Sequence, residues 1–322
     1  MEEIDIKEVT KRSIRGAFAL TSRTFIIQLI GLATSFLLTI LLDPSAFGVF
    51  FVVSAAIAFL SYFSDIGLAA ALIQKKEPIS EEELRVTFTI QQLLVVSLVV
   101  VAFTSLKFVG SFYNLNREGI FLFQALVFSF FLSSLKTIPS IILERNLRFE
   151  KLIIPQIVET FSFSITAISL AIAGFGITSF TFAVLMRGIS GLLTMYIVSP
   201  WRPGFAFSKE VLLRLLSFGI PFQTNSVLAL IKDDLLIVYL GKVLPLAEVG
   251  FIGFAQKWAL MPLRLVMDNI IRITFPSFSR LQGQKEMLGK AVEKSIFAST
   301  FFIFPSLTGL IILFPYLLSL IP

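Results

Sequence analysis

The sequence predicts an all-α integral membrane protein, and three observations support that prediction. The chain of 322 residues is 56% hydrophobic and only 15% charged, with a mean hydropathy of +0.89, whereas soluble globular domains carry about 25% charged residues. Apolar runs of about 20 residues recur from Phe25 onward, and a helix of that length crosses a hydrocarbon core of about 30 Å. Basic residues concentrate in alternate connections between these runs, as they do in multi-pass membrane proteins.

Polar breaks divide the apolar runs into nine predicted membrane spans. A tenth apolar segment, LFPYLLSLIP, is too short to cross, so we expect about nine complete transmembrane helices plus the start of a tenth, in a chain truncated at its C-terminal side. The predicted spans cover residues 18–42, 47–73, 86–108, 119–142, 152–173, 177–198, 215–241, 247–273 and 291–313.

Two cytoplasmic connections carry helix-start signals. Ser80 followed by Glu83 in PISEEELRV predicts a capping box at the start of the third span. Ser208 in FAFSKEVLLRLLSFG predicts the cap of a short interfacial helix before the seventh span. Pro221 is expected to weaken the seventh span near its cytoplasmic start. We interpret the Ser80 and Ser208 caps as structural features.

The distribution of basic residues predicts the orientation of the chain, because Lys and Arg beside short loops stay on the cytoplasmic side. They cluster in the N-terminus and in every second loop, whereas the opposite loops hold only Lys107, Arg117 and Lys242. We therefore expect a cytoplasmic N-terminus. The outward loops, such as LDPSAF and AGFGIT, are too short for an external catalytic domain.

The absence of cysteine and histidine excludes several kinds of chemistry. Thiol nucleophiles, imidazole bases and the usual zinc or copper ligands are missing, so we expect no enzyme, no cofactor and no metal site. The polar and charged N-terminus does not read as a cleaved signal peptide. The net charge of +6 lies largely in the loops, which favours a lipid bilayer over nucleic acid as a partner.

An internal repeat emerges when the chain is compared with itself at a shift of 202 residues. LLDPSAFGVFFV then aligns with VLPLAEVGFIGF, and Gly48 aligns with Gly250. Six predicted spans separate the copies, which makes them parallel repeats of the kind that hold a transport substrate between two halves. The predicted domains are a six-helix bundle at residues 1–200 and a partial second bundle at residues 201–322.

Ionisable residues interrupt several predicted spans, and each charge costs at least about 2.5–3.5 kcal/mol near the bilayer centre. They therefore predict a polar interior cavity. The basic members are Arg23, Lys136, Arg187, Lys232, Lys257, Arg264 and Arg272. The acidic members are Asp65, Glu159, Asp233, Asp234 and Asp268.

Some of these charges have an opposite charge nearby on the same helix. Lys257, Arg264 and Asp268 share one face of the eighth span. Asp268 is four residues from both Arg264 and Arg272, so these groups can neutralise one another. Lys232 stands beside two aspartates in LIKDDLL and can be paired in the same way.

Other cations have no opposite charge three or four residues away: Arg23, Arg187 and Lys257. They either contact substrate or pair with a residue on another helix. Surplus positive charge suits an anion, and guanidinium groups match phosphate oxygens two at a time, so a diphosphate is the predicted ligand. The predicted binding residues are Arg23, Arg187, Lys232, Lys257 and Arg264. The candidates for ion coupling are Asp65, Glu159, Asp233, Asp234 and Asp268.

Four segments carry a family resemblance. They are FGVFFVVSAAIAFLSYFSDIGLAAALIQ, ERNLRFEKLIIPQIVE, LLRLLSFGIPFQTNSVLALIKDDLLIVYLGKVLPLAEVGFIGFAQKWALMPLRLV and ITFPSFSRLQ. In this order and spacing they resemble the polysaccharide flippases of the MATE-like MOP exporter superfamily. The resemblance implies two six-helix bundles that form a V, and the movement of an undecaprenyl-diphosphate-linked oligosaccharide from the inner to the outer leaflet.

The expected function is therefore export of repeat units for capsule, O-antigen or exopolysaccharide synthesis by alternating access. The resemblance implies a bacterial or archaeal cytoplasmic membrane, with a glycan polymerase and other export machinery as partners. A drug or cation antiporter of the same superfamily is the nearest alternative, but it would favour an acidic cavity. A membrane-embedded glycan polymerase or ligase would need a larger outward loop with acids or a histidine.

Overall fold

The computed structural model describes residues 25–75, 77–146, 148–281 and 285–318. Within these ranges all regular structure is helical and there is no strand, as the apolar runs predict. The helices are α1 (Phe25–Leu41), α2 (Pro44–Ser61), α3 (Leu68–Gln74), α4 (Glu81–Thr104), α5 (Leu106–Phe112), α6 (Arg117–Ser134), α7 (Thr137–Arg145), α8 (Phe149–Ile172), α9 (Thr178–Val198), α10 (Lys209–Val243), α11 (Leu246–Leu281) and α12 (Lys285–Leu318).

Of the described helices, six are long and apolar enough to cross a membrane: α2, α4, α6, α8, α9 and α12. α1 is apolar but shorter over its described part. Helical segments occupy all nine predicted spans. The chain is thus a multi-pass membrane protein, and the prediction of an all-α fold is confirmed.

Three predicted spans are broken, which hydropathy did not indicate. The third span divides into α4 and α5 at Ser105. The second span divides into α2 and α3, with Gly67 at a φ of +82° between them. Asp65 stabilises this break, because its Oδ1 accepts a hydrogen bond from the Leu68 amide at 2.8 Å. The fourth span divides into α6 and α7 at Leu135 and Lys136.

At two other places the structure has one continuous helix where the sequence predicted two separate helices. Ser208 does cap α10, but α10 continues for 35 residues through Pro221, so no separate interfacial helix precedes the seventh span. α12 likewise passes through Pro305 and Pro315 to Leu318. The described residues therefore show no separate start of a tenth helix.

The predicted capping box at the start of α4 is confirmed. The Ser80 hydroxyl accepts a hydrogen bond from the Glu83 amide at 3.2 Å, and the Glu83 carboxylate accepts one from the Ser80 amide at 2.9 Å. α4 therefore begins at a fixed residue, which also fixes the Glu83 side chain.

Close helix packing builds the largest described core. α8 and α9 pack along their length, and α6 packs on α9. Small residues at these contacts, Ala167 and Ala183, are fully buried, which lets helix backbones approach closely. Leu122 and Phe180 fill the core between these helices and α2.

The two glycines that the repeat aligns lie at one helix crossing, between α2 and α11. A Cβ on Gly48 would stand 1.7 Å from the Leu246 carbonyl oxygen, and a Cβ on Gly250 would stand 2.2 Å from the Pro44 carbonyl oxygen. Only glycine allows this approach. The crossing sets the distance between α11 and helices α1–α9. The candidate site lies between α11 and these helices.

Candidate functional site

A cavity of about 440 Å³ lies between α1, α2, α8, α9 and α11. Its wall combines two cations, several hydroxyl and amide groups, and phenylalanine rings. The charged and polar lining residues are Gln28, Thr34, Ser35, Thr160, Ser164, Arg187 and Lys257. The aromatic lining residues are Phe47, Phe50, Phe51, Phe163 and Phe180.

The aromatic wall is pre-formed by ring packing. Phe50 stacks on Phe180 with ring centroids 4.5 Å apart, and Phe47 meets the edge of Phe180 at 5.5 Å. In the same wall the Thr34 hydroxyl lies 2.7 Å from the Ser164 hydroxyl, which joins α1 to α8. The cavity thus presents both ring faces and hydroxyl groups to a ligand.

Lys257 lies on α11 and borders two cavities. A neighbouring cavity of about 410 Å³ shares Gln28, Phe51 and Lys257 with the first. The Lys257 side chain is exposed to this space, and it forms no ion pair with any residue that the structure describes. Its positive charge is therefore available to a ligand.

Glu159, on α8, is the carboxylate of an ion cluster beside the cavity. Its side chain is only 13% exposed and pairs with Lys136, which is equally buried. Arg187, on α9, approaches from the cavity side: its Nε stands 3.8 Å from Glu159 Oε2, and its side chain is 58% exposed. One carboxylate thus faces two cations on two other elements.

The break between α6 and α7 positions Lys136. The Tyr196 hydroxyl donates to the Leu135 carbonyl at 3.0 Å, and Gln92 Nε2 donates to the Ser134 hydroxyl at 3.1 Å. Gln91 Nε2 donates to the Thr137 hydroxyl at 2.9 Å on the far side of the break. The Tyr196 bond satisfies a backbone carbonyl at the interruption, and the two glutamine bonds tie α4 to the residues on either side of it.

Arg187 and Lys257 are the predicted binding residues that the structure brings to one cavity. The sequence left open whether Arg187 pairs with a residue on another helix. It does pair with Glu159, but the pair is loose and the guanidinium stays exposed. Asp65 accepts a hydrogen bond from the Leu68 amide at the start of α3 and does not line the described cavities, and its coupling role stays a prediction. Arg23 lies outside the described residues.

The remaining predicted site residues lie on described helices, but their side chains lie outside the description. They are Lys232, Asp233, Asp234, Arg264 and Asp268. Their predicted roles in binding and ion coupling stay predictions, as does the coupling role of Glu159.

Sequence reasoning did not select Lys136 or Gln28 for the site. Lys136 was recognisable as a lone cation in a span, and Glu159 as a lone carboxylate in another. Their 23-residue separation carries no helical register, so only the tertiary fold joins them. Gln28 carried no charge to draw attention to it.

A second ion cluster lies away from the cavity, at the start of α4. Glu83 is 2% exposed and accepts hydrogen bonds from Lys75 Nζ at 2.7 and 2.9 Å. Arg214 of α10 donates to the same carboxylate at 2.8 Å. The cluster therefore ties α10 to the first nine helices.

The described charges give the cavity region a positive surplus. Lys136, Arg187 and Lys257 carry three positive charges against the single carboxylate of Glu159. Charge held in a low-dielectric wall attracts anions more strongly than the same charge in water. The arrangement can bind an anionic group.

A family model described as polysaccharide biosynthesis protein matches residues 37–321. The chain is 23% identical over 273 residues to the succinoglycan biosynthesis transport protein ExoT of Rhizobium meliloti, covering 84% of this chain and 54% of the relative. It is 25% identical over 307 residues to the lipopolysaccharide biosynthesis protein WzxC of Escherichia coli, covering 94% and 61%.

An uncharacterized membrane protein in the cps region of Klebsiella pneumoniae is 27% identical over 305 residues, covering 92% of this chain and 61% of the relative. The chain thus spans little more than half the length of these relatives. A solved structure, the inward-facing conformation of a multidrug resistance MATE family transporter, matches with a TM-score of 0.72 at 17% identity, covering 90% of this chain and 71% of that one. The fold is accordingly that of MOP-superfamily transporters. Because the family model matches most of its length, the chain belongs to the polysaccharide biosynthesis protein family.

Proposed function

We propose that the protein moves undecaprenyl-diphosphate-linked oligosaccharide repeat units from the inner to the outer leaflet of a bacterial or archaeal cytoplasmic membrane. The observation that carries the proposal is the pair of exposed cations, Arg187 and Lys257, in one cavity between membrane-embedded helices. The names of the relatives, one a succinoglycan transport protein and one a lipopolysaccharide biosynthesis protein, support it.

The two cations suit a diphosphate in different ways. Arginine presents a planar fork that binds two phosphate oxygens together, and lysine adds a compact point charge. Both cations are exposed to the cavity, and Lys257 has no ionic partner among the residues that the structure describes. A diphosphate supplies that partner, and the phenylalanine and hydroxyl groups of the wall can contact the first sugar.

The lipid tail would stay in the bilayer while the headgroup crosses through the cavity. In this proposal residues 1–200 and 201–322 form two bundles whose rocking exposes the site first to the cytoplasm and then to the outside. The N-terminus lies in the cytoplasm, and a glycan polymerase receives the exported unit. No covalent step is needed, so the protein acts as a transporter and not as an enzyme.

A drug or cation antiporter is the less favoured function. Such a protein needs to attract cations, and the described part of the cavity wall carries Arg187 and Lys257 without an exposed carboxylate. Its positive surplus raises the energy of a bound cation.

The neutral substitutions Arg187→Gln and Lys257→Gln test the proposed function. They are introduced in a strain that lacks its own oligosaccharide flippase, and surface polysaccharide is measured with membrane abundance of the protein. We expect each variant to lose at least about tenfold of export, the equivalent of about 1.4 kcal/mol of binding, at normal abundance. Lys107→Gln, an exposed lysine outside the cavity, is the matched control. Full export by both cavity variants would exclude this site.

A further inference from the structure

Glu159 holds two cations that differ sharply in exposure. Lys136 and Glu159 are both 13% exposed, and the ammonium donates directly to Glu159 Oε1. Arg187 is 58% exposed and keeps its Nε 3.8 Å from the other carboxylate oxygen. Among the described residues, Lys136 is therefore the close and buried partner, and Arg187 is the loose partner that faces the cavity.

We propose that Lys136 and Glu159 are positioning residues for Arg187. Lys136 satisfies the carboxylate, so that Glu159 orients the guanidinium without neutralising it. This inference rests on the proposed function, because it concerns how the same cavity holds phosphate. It assigns Glu159 a role in orientation and not in ion coupling.

The geometry of the guanidinium agrees with this role. Nε faces the carboxylate, while the two Nη groups make no hydrogen bond to the part of the chain that the structure describes. Those groups form the outer edge of the fork that binds phosphate. Holding Nε leaves this edge directed to a ligand and lowers the entropy lost when the ligand binds.

Without Lys136, the Glu159 carboxylate would compete with phosphate for Arg187. A buried carboxylate with one available cation pairs closely with it, since an unpaired buried charge is strongly destabilising. Arg187 would then have to leave Glu159 in order to bind phosphate. The break between α6 and α7, which brings Lys136 to Glu159, removes this competition.

The proposal predicts a pattern among variants that a simple structural brace would not give. Lys136→Met leaves Glu159 to capture Arg187, so diphosphate affinity should fall by about tenfold. The double variant Lys136→Met/Glu159→Gln removes the competitor as well, and its affinity should return to within about threefold of the native value. A brace between α6, α7 and α8 would be lost in both variants alike.

A single Glu159→Gln variant separates positioning from the effect of net charge. This change adds one positive charge to the site. If only the electrostatic field matters, diphosphate binds more tightly; if Glu159 orients Arg187, affinity stays unchanged or falls. Lys136→Arg keeps the buried cation and should bind as the native chain does.

The experiment measures binding of farnesyl diphosphate, by calorimetry, to the purified full chain in phosphatidylcholine nanodiscs. Recovery of affinity in the double variant, with no gain in Glu159→Gln, supports the proposal. A double variant as weak as Lys136→Met, or tighter binding by Glu159→Gln, overturns it. Lys107→Met controls for loss of a lysine outside the cavity.

Two further comparisons separate possible failures. If Arg187→Gln binds the diphosphate as the native chain does, the proposed function fails at this site; if only the Lys136 pattern fails, the proposed function stands and the positioning role falls. If Lys136→Met does not purify as a single species, Glu159→Gln alone decides, because tighter binding still overturns the proposal.

Discussion

Gly191 determines how closely Glu159 approaches α9. A Cβ at this position would stand 2.1 Å from Glu159 Oε1 and 2.5 Å from its Cγ. Any side chain there displaces the carboxylate, and with it the contacts to Lys136 and Arg187. Because Gly191 has no side chain, Glu159 can keep its contacts with Lys136 and Arg187.

We expect Gly191→Ala to destabilise the protein by about 1–3 kcal/mol, as overpacking of a filled site does, and to reduce export. Thermal unfolding in detergent and surface polysaccharide are the two measurements. Gly309→Ala is the matched control, because a Cβ there meets no atom within 4 Å; in a helix this change should be neutral or stabilising by up to about 1 kcal/mol. Equal melting temperatures for both variants would contradict the role given to Gly191.

Part of the candidate site could be predicted from the sequence at this scale. Arg187 and Lys257 could be selected because each lacks an opposite charge on its own helix, and the cavity contains both. The link from Glu159 to Lys136 and the space left by Gly191 could not be predicted, since they depend on which helices become neighbours. Hydropathy and helical period describe single helices and carry no information on that choice.

At the scale of elements, the Glu83 cluster joins α3, α4 and α10. Its carboxylate is nearly inaccessible and receives donors from Lys75, Arg214 and the Ser80 amide. A buried carboxylate with several donors contributes only while all of them are present, because each unmade bond leaves a buried group unsatisfied. The cluster therefore connects the capping of one helix to the packing of another.

Glu83→Gln should lower the free energy of unfolding by about 1–3 kcal/mol, since Lys75 and Arg214 lose their shared anion. Glu81→Gln provides the control on the same helix: Glu81 is 70% exposed and 3.9 Å from Arg85, and exposed pairs of this kind contribute at most about 1 kcal/mol. Melting temperatures of the purified variants measure both effects. A Glu83→Gln protein as stable as Glu81→Gln would show that the cluster does not join the helices energetically.

Most elements could be predicted from the sequence, but three of their interruptions could not. Apolar runs located the helices because lipid requires long apolar segments with satisfied backbones. Hydropathy does not reveal a helix break when other groups inside the protein bond to the free backbone groups. The Tyr196 hydroxyl does this for the Leu135 carbonyl. Conversely, Pro221 was expected to weaken the seventh span, but α10 continues through it.

At the scale of the whole molecule, α10 is attached to the α4–α5 segment near both of its ends. Arg214 contacts Glu83 at one end, and Lys242 contacts the Phe112 carbonyl at 3.1 Å and its ring at 4.4 Å at the other. Arg214 and Lys242 are separated by about 42 Å along a helix that rises about 1.5 Å per residue. This exceeds a hydrocarbon core of about 30 Å, so we predict that the two attachments lie at opposite membrane surfaces.

This separation makes the orientation of the chain testable. The positive-inside rule assigns the Glu83 end to the cytoplasm and the Lys242 end to the outside, and export from the inner leaflet requires that assignment. Because the sequence contains no cysteine, the single variants Glu82→Cys and Arg117→Cys each carry one thiol, at exposed positions on opposite sides. In intact spheroplasts, a membrane-impermeant maleimide should label Arg117→Cys at once and Glu82→Cys only after permeabilisation. The reverse pattern would place the Glu83 cluster outside and contradict the proposed direction of export.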